Sequence, residues 1–243
     1  MRSSSGRDDG GAAPQRLFVA IDPPPEAVAD LAAVVDSLEV SRANAPGRST
    51  RVSARSRWHV TLAFLGDVSA RRADGAAAAL AAAVSAARGV GAAGSGAGPD
   101  SGSDSGSGSG SGSRGGSGSR GESAASGPIN VRFAGGGTFG RRRFAILWAG
   151  IAGDVASLSA LSAAVREELK RARLPYDPKP FRPHLTLARP GDRISPELLA
   201  ADVATLSAYV GPMWTVDAVH LVASDLGPDP KHTRLATIPL TPR

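Results

Sequence analysis

The chain has 243 residues, of which 42% are hydrophobic, and a formal net charge of +6. This composition is sufficient for a globular core, and the positive charge favours polyanionic partners such as nucleic acid. Cysteine is absent, which excludes disulfides, thiolate metal ligands and a cysteine nucleophile and fits a reducing compartment. No stretch has the apolar length of a signal-peptide core or a membrane span, so we predict a cytoplasmic protein that does not associate with a membrane.

Two segments have compositions that are unsuited to a packed core. Residues 1–15 are small, polar and rich in glycine, which predicts a disordered tail. Residues 91–127 consist mainly of glycine and serine and include SGSDSGSGSGSGSRGGSGSRG, which predicts a disordered, flexible tether. About 37 such residues have an r.m.s. reach of roughly 33 Å, enough to rejoin two surface points of one domain. We therefore expect a single domain over residues 16–243 that the tether interrupts.

Outside these segments the chain divides into two halves with a similar order of predicted elements. Each half begins with an apolar strand, RLFVAID at 16–22 and RFAILWAG at 143–150. An amphipathic helix follows each strand, because apolar residues recur at helical spacing. These residues are Val28, Leu31, Val35 and Leu38 in the first half, and Val155, Leu158, Leu161, Val165 and Leu169 in the second.

Each half continues with a strand that carries a histidine motif, WHVTLAF at 58–64 and PHLTLAR at 183–189. A further helix is predicted after each motif, and each half then closes with a strand. The predicted helices are 69–88 and 196–210, and the closing strands are INVRFAGG at 129–136 and WTVDAVHLVAS at 214–224. The pattern predicts an α+β duplication with one site shared between the halves.

The two motifs place a histidine and a threonine on the same face of a strand. Residues i and i+2 of a strand share a face, so His59 lies beside Thr61, and His184 beside Thr186. The alternate positions of both strands are apolar and suit the core. Two of the four histidines of the chain occur in this setting, which makes a chance origin improbable.

Two imidazoles across one cleft suit phosphoryl transfer without a metal ion. With an ordinary pKa near 6.5, one histidine can be neutral and remove a proton while the other is charged and supplies one. The threonine hydroxyls can donate hydrogen bonds to phosphate oxygens as charge develops there. The spacing of histidines and carboxylates suggests no metal site, and no phosphate-binding loop of the Walker type is present, so we expect no cofactor.

The chain resembles the RNA 2′,3′-cyclic phosphodiesterases of the two-histidine phosphoesterase superfamily, also called the 2′-5′ RNA ligase family. The resemblance rests on RLFVAID, WHVTLAFLGDV, RFAILWAG and KPFRPHLTLAR, and on VHLVASDLGP with RLATIPL near the C-terminus. It implies a bilobed α+β fold in which two antiparallel sheets with outer helices flank a central groove. It also implies metal-independent opening of a terminal 2′,3′-cyclic phosphate to a 2′-phosphate.

The resemblance assigns roles to individual residues. It implies that His59 is the proton donor and His184 the proton acceptor, while Thr61 and Thr186 hold the phosphate. The near-symmetry of the motifs makes the acid and base roles harder to separate than the pair itself. The Gly/Ser tether departs from the family, and we expect it to lie outside the groove.

Three further residues are weaker candidates for substrate binding. Arg189 follows the second motif, and the resemblance favours a role facing the ligand, although alternation places it on the opposite strand face. Phe64 and Phe181 flank the motifs, where they either stack on a base or pack in the core. His220 and His232 lack a threonine two residues later, and His220 is interpreted as a structural residue of the last strand.

Alternative functions follow from the same residues. One is a phosphodiesterase that acts on another ester, such as a 2′-5′-linked oligonucleotide or a small cyclic nucleotide phosphate. Another is a non-catalytic RNA-binding module, which the intact histidine and threonine pairs disfavour. We expect RNA ends or cyclic nucleotide phosphates as substrates and a monomeric protein.

Overall fold

The computed structural model of the protein describes residues 14–43, 50–92, 127–225 and 231–240. The predicted tail and tether lie outside these ranges except at their ends, where Gln15 begins a strand and residues 91–92 end a helix. The described residues form eight strands and five α-helices. In chain order these are β1 (Gln15–Ile21), α1 (Pro25–Ser37), α2 (Glu39–Arg42), β2 (Val60–Val68), α3 (Ala70–Ala92), β3 (Asn130–Phe139), β4 (Ile146–Gly153), α4 (Val155–Arg171), β5 (His184–Ala188), α5 (Pro196–Ser207), β6 (Trp214–Thr215), β7 (Ala218–Asp225) and β8 (Lys231–Pro239).

The strands form two four-stranded antiparallel sheets. The first sheet has the order β2-β1-β7-β8 and the second β5-β4-β3-β6, so each histidine motif lies on an outer strand of its own sheet. The predicted α+β architecture with two antiparallel sheets is confirmed. No helix within the described ranges has both the length and the apolar character needed to cross a bilayer.

The two halves exchange their closing strands. β3, which closes the first half, pairs with β4 in the second sheet, and β7 pairs with β1 in the first sheet. The strand predicted at 214–224 is two strands, because Trp214–Thr215 pairs with β3 whereas Ala218–Asp225 joins the other sheet. The strand pairing therefore does not follow the division of the sequence into halves. Alternation specifies which face of a strand is buried, but not which strand supplies its hydrogen bonds.

The helices cover the outer faces of the sheets. α3 and α4 pack on each other, α4 contacts β2, and α3 contacts β7 and β8, while α1 and α5 contact β3. The apolar stripes predicted for the helices are largely buried, as Leu31 and Val35 show in α1 and Leu158 in α4. The strand predicted from Arg143 begins only at Ile146, since residues 142–144 form a 3₁₀ turn.

The strand faces that point away from the main core form the groove. In β1, Leu17, Val19 and Ile21 belong to the main core, whereas Phe18 and Ala20 form a separate buried cluster with Val222 on the opposite face. We call this the groove face of the first sheet. β2 and β5 contact each other, and Val52 bridges to Ala188, so the two motif strands meet at the groove.

Candidate active site

The two motif histidines have the same local geometry. His59 immediately precedes β2, and its Nδ1 donates to the carbonyl oxygen of Arg57 at 2.7 Å. His184 begins β5, and its Nδ1 donates to the carbonyl oxygen of Arg182 at 2.6 Å. In both motifs the acceptor lies two residues before the histidine, so the start of the strand itself orients the ring.

These bonds select the tautomer of each ring. A carbonyl oxygen only accepts hydrogen bonds, so Nδ1 of His59 and of His184 carries a hydrogen. The other ring nitrogen, Nε2, then holds a lone pair in the neutral ring and a proton in the charged ring. Both rings are half-buried, which keeps Nε2 within reach of a ligand.

The fold brings the two motifs to one site. The positive charge of His184 is among the groups that act on the pKa of His59, and the strands that carry the motifs contact each other. Thr61 and Thr186 are half-buried, with Leu62 and Leu185 buried behind them. The strands that carry His59, Thr61, His184 and Thr186 are therefore brought close together.

Aromatic rings surround His59 at the first sheet. Phe18 stacks on His59 with ring centroids 4.7 Å apart. His232, on β8, meets His59 edge to face at 5.3 Å and Phe18 at 5.2 Å. Burial among these rings is the main reason why the pKa of His59 is lowered; the charges of His232 and His184 lower it further, while the Arg57 carbonyl and Asp22 oppose the shift.

Asp22 is the centre of a polar network next to these rings. Its carboxylate accepts a hydrogen bond from Arg234 and lies 3.8 Å from Nε2 of His220. Nδ1 of His220 lies 3.0 Å from the Thr237 hydroxyl, and the ring is only 7% exposed. Burial is the main cause that lowers the pKa of His220, and Asp22 opposes it. His220 is thus buried within β7.

A different aromatic cluster surrounds His184 at the second sheet. Phe139 meets His184 edge to face at 4.8 Å and stacks on Trp148 at 5.1 Å. Trp148 lies opposite Thr186 in the sheet register. Within the described part of the chain, its buried Nε1 has no hydrogen-bond partner. A side chain at Gly137 would place Cβ 2.7 Å from the indole, so glycine is needed there for the close approach of Trp148.

A family model for the 2′-5′ RNA ligase superfamily matches residues 23–228. The match covers most of the chain and includes both histidine motifs. The chain belongs to the 2′-5′ RNA ligase superfamily. Among curated proteins, no relative matches the chain significantly.

Solved structures with the LigT fold match almost the entire length of this chain. E. coli LigT complexed with 3′-AMP is 22% identical, covers 95% of this chain and 100% of the LigT chain, and has a TM-score of 0.57. The same protein complexed with NADP+ is 21% identical, with coverages of 95% and 100% and a TM-score of 0.58. The Thermus thermophilus protein TT0787 is 25% identical, with coverages of 93% and 97% and a TM-score of 0.55. The chain therefore has a LigT-like fold.

The three weaker site candidates lie in different surroundings. Phe64 is 50% exposed, pairs with Phe18 in the register and lies 6.2 Å from its ring, so it extends the groove face. Arg189 is exposed directly after β5. Phe181 lines a separate cavity of about 240 Å³ beside α4, together with Arg166 and Tyr176.

Sequence reasoning did not find His232. The residue lacks the threonine that marks the two motifs, and it reaches His59 only because β8 returns to the first sheet. The scarcity of histidine, four in the chain, was the one signal that pointed to it. Over residues 14–43, 50–92, 127–225 and 231–240, no three histidine, aspartate or glutamate side chains are grouped so that they could hold a metal ion.

Proposed function

We propose that this LigT-like protein hydrolyses RNA 2′,3′-cyclic phosphate ends to 2′-phosphomonoesters by general acid–base catalysis without a metal ion. The observation that carries the proposal is the matched pair of imidazoles. Each donates from Nδ1 to the carbonyl two residues earlier, at 2.7 Å for His59 and 2.6 Å for His184. Each therefore has Nε2 for proton transfer, and the two lie on strands that contact each other.

In the proposed reaction, Nε2 of His184 accepts a proton from water while the water oxygen attacks phosphorus. The bond between phosphorus and the 3′-oxygen breaks, and Nε2 of His59 donates its proton to that oxygen. The products are a 3′-hydroxyl and a 2′-phosphate. Proton exchange with solvent then restores both histidines. Thr61 and Thr186 donate hydrogen bonds to the non-bridging oxygens as negative charge develops there.

The environment of His59 supports its role as the proton donor. Burial lowers the pKa of His59, so its charged form is a stronger acid than an ordinary histidine. The same shift favours the neutral ring in the free protein. A bound phosphate anion stabilises the charged ring, so His59 gains its proton when the substrate binds.

Groove residues outside the motifs support a nucleotide substrate. Phe64 presents a half-exposed ring beside the Phe18–His59 stack, and a base stacked on such a ring gains roughly 1–3 kcal/mol. Arg189 adds an exposed cation after β5. Phe181 lines its own cavity beside α4, so we assign base stacking to Phe64.

A second candidate is hydrolysis of a small cyclic nucleotide phosphate. The LigT structures complexed with 3′-AMP and with NADP+ favour it, because they record mononucleotide and dinucleotide ligands on this fold. Both candidates use the same histidine and threonine pairs. They differ in whether nucleotides beyond the terminal one contribute to binding.

The test is hydrolysis, in the presence of EDTA, of an oligoribonucleotide that ends in a 2′,3′-cyclic phosphate. We expect formation of a 2′-phosphate, and a loss of at least about 10²-fold in turnover in His59→Ala and in His184→Ala. Thr233→Val, on an exposed position of β8 next to His232, serves as the control and is expected to keep wild-type turnover. Circular dichroism confirms that each variant is folded.

Three outcomes separate the candidates. If the folded wild-type protein hydrolyses no cyclic phosphate, the proposal is overturned. RNA binding without catalysis then remains as the candidate function. Efficient turnover of a 2′,3′-cyclic mononucleotide with no gain for the oligonucleotide favours the second candidate. Cleavage of a 2′-5′-linked dinucleotide in preference to both identifies a different ester as the substrate.

A further inference from the structure

A third histidine lies in contact with the proposed proton donor. The rings of Phe18, His59 and His232 touch one another, with centroids 4.7 Å apart for Phe18 and His59, 5.2 Å for Phe18 and His232, and 5.3 Å for the two histidines. Phe18 is only 4% exposed, so it forms a fixed base for both imidazoles. His232 is half-buried in β8, at the edge of the first sheet.

We propose that His232 is a positioning residue for His59, which holds the plane of the His59 ring and opposes its protonation until an anionic substrate binds. The proposal rests on the proposed function, in which His59 is the reacting group. His232 itself transfers no proton in the reaction.

The packing leaves His59 little freedom to rotate. The Arg57 carbonyl fixes Nδ1, Phe18 covers the ring face at an interplanar angle of 28°, and His232 lies against the ring at 70°. A ring held by one hydrogen bond and two ring contacts presents Nε2 in one direction. Correct orientation of a proton donor contributes directly to the rate, because misplacement by about 1 Å costs on the order of 10²-fold.

The surrounding charges favour protonation of one of the two rings, His59 or His232, over protonation of both. Two positively charged imidazoles 5.3 Å apart repel each other, so protonation of either disfavours protonation of the other. Asp22 is the carboxylate that acts on both rings, and it is already bonded to Arg234 and close to His220.

Burial and nearby positive charges also oppose protonation of His59 and His232. Burial is the main cause that lowers the pKa of His232, and the Arg57 guanidinium lowers it further. The charge of His184 opposes protonation of His59 from across the groove. Among the described residues, Asp22 is the carboxylate that favours protonation of both rings, and it is already bonded to Arg234, so a bound phosphate group would supply the negative charge for a second proton.

The direct test is a histidine NMR titration of the free protein. The variants are His232→Phe, which keeps an aromatic ring but removes the charge, and His232→Gln, which removes both ring and charge. We expect the titration midpoint of His59 to rise in both variants, because a positive charge that opposes protonation is lost. The control Thr233→Val, an exposed neighbour on β8, is expected to leave the midpoint unchanged. A midpoint that is unchanged or lower in both His232 variants overturns the proposal.

A second readout is the pH dependence of turnover on the cyclic-phosphate oligonucleotide. Turnover needs His59 protonated, so it falls as the pH rises through the pKa of His59, and this alkaline limb is expected to move to higher pH in His232→Phe. The titration requires no substrate, so the two proposals fail separately. A raised midpoint without any turnover overturns the proposed function alone, whereas turnover with an unmoved midpoint overturns the role of His232 alone.

Discussion

At the scale of single residues, the two motifs are alike in geometry but not in surroundings. Thr61 lies opposite Ala20 in the register, whereas Thr186 lies opposite Trp148. The groove beside His59 contains the Asp22 carboxylate and a second imidazole, and the groove beside His184 contains two aromatic rings. His59 and His184 thus have different charged and aromatic neighbours, which provides a physical basis for different roles.

The threonine hydroxyls are testable one atom at a time. Thr61→Val and Thr186→Val keep the branched shape and remove only the hydroxyl. Each is expected to lower turnover by about 10²–10³-fold, the effect of losing one donor to a developing charge, while the free energy of unfolding changes by less than about 1 kcal/mol. Steady-state kinetics and urea denaturation measure the two effects. A valine variant with wild-type turnover would show that its hydroxyl does not contact the phosphate.

At the scale of secondary structure elements, glycine residues of the second sheet make room for the indole ring of Trp148. Trp148 of β4 lies over Gly137 of β3, and Gly150 also lies close to its ring. Glycine inside a strand ordinarily costs about 0.5–1 kcal/mol relative to alanine. At Gly137 that cost is offset, because any larger residue would displace the ring that packs beside His184.

The substitution Gly137→Ala tests this packing. The added methyl group would lie 2.7 Å from the indole, so we expect Trp148 to move and turnover to fall, with a change in tryptophan fluorescence. The matched control is Gly75→Ala in α3, where a Cβ meets nothing within 4 Å. The control is expected to keep its turnover and to raise the free energy of unfolding by about 0.5–1 kcal/mol. Equal behaviour of the two variants would contradict a role of Gly137 in placing the indole.

At the scale of the whole molecule, the connection after α3 joins the two lobes. α3 packs against the first sheet, and the chain resumes its described course at β3 of the second sheet. The Gly/Ser-rich segment at residues 93–126 therefore links one lobe to the other in sequence. Because this segment consists mainly of glycine and serine, we propose that it is a tether without a catalytic role.

Shortening this segment tests the proposal. Replacing residues 93–126 by a Gly/Ser segment of half the length is expected to leave turnover of the cyclic-phosphate oligonucleotide unchanged. The free energy of unfolding is expected to change by only about 0.6 kcal/mol, because the entropy of loop closure depends weakly on length. Kinetics and urea denaturation of the shortened protein provide the measurements. Loss of turnover by a folded, shortened protein would show that the segment contributes to the site.

The sequence by itself determined the local features of this protein. Strand alternation around His59 and His184 predicted that each histidine shares a face with its threonine, and Val60 and Leu62 are indeed buried behind the first pair. The helix predicted from residue 196 begins there, where the Ser195 hydroxyl accepts a hydrogen bond from the Leu198 N–H at 3.3 Å. These features depend on contacts within a few residues, which the local pattern contains.

Only the tertiary structure decided which distant segments meet. The exchange of β3 and β7 between the sheets, the division of the last predicted strand at residues 216–217 and the contact of His232 with His59 all join parts that are remote in the chain. Backbone hydrogen bonds are the same for every apolar strand, so a strand pattern does not specify its neighbour. The local patterns predicted the two faces that each carry a histidine and a threonine, whereas the different charges around the two histidines follow from the packing of the sheets.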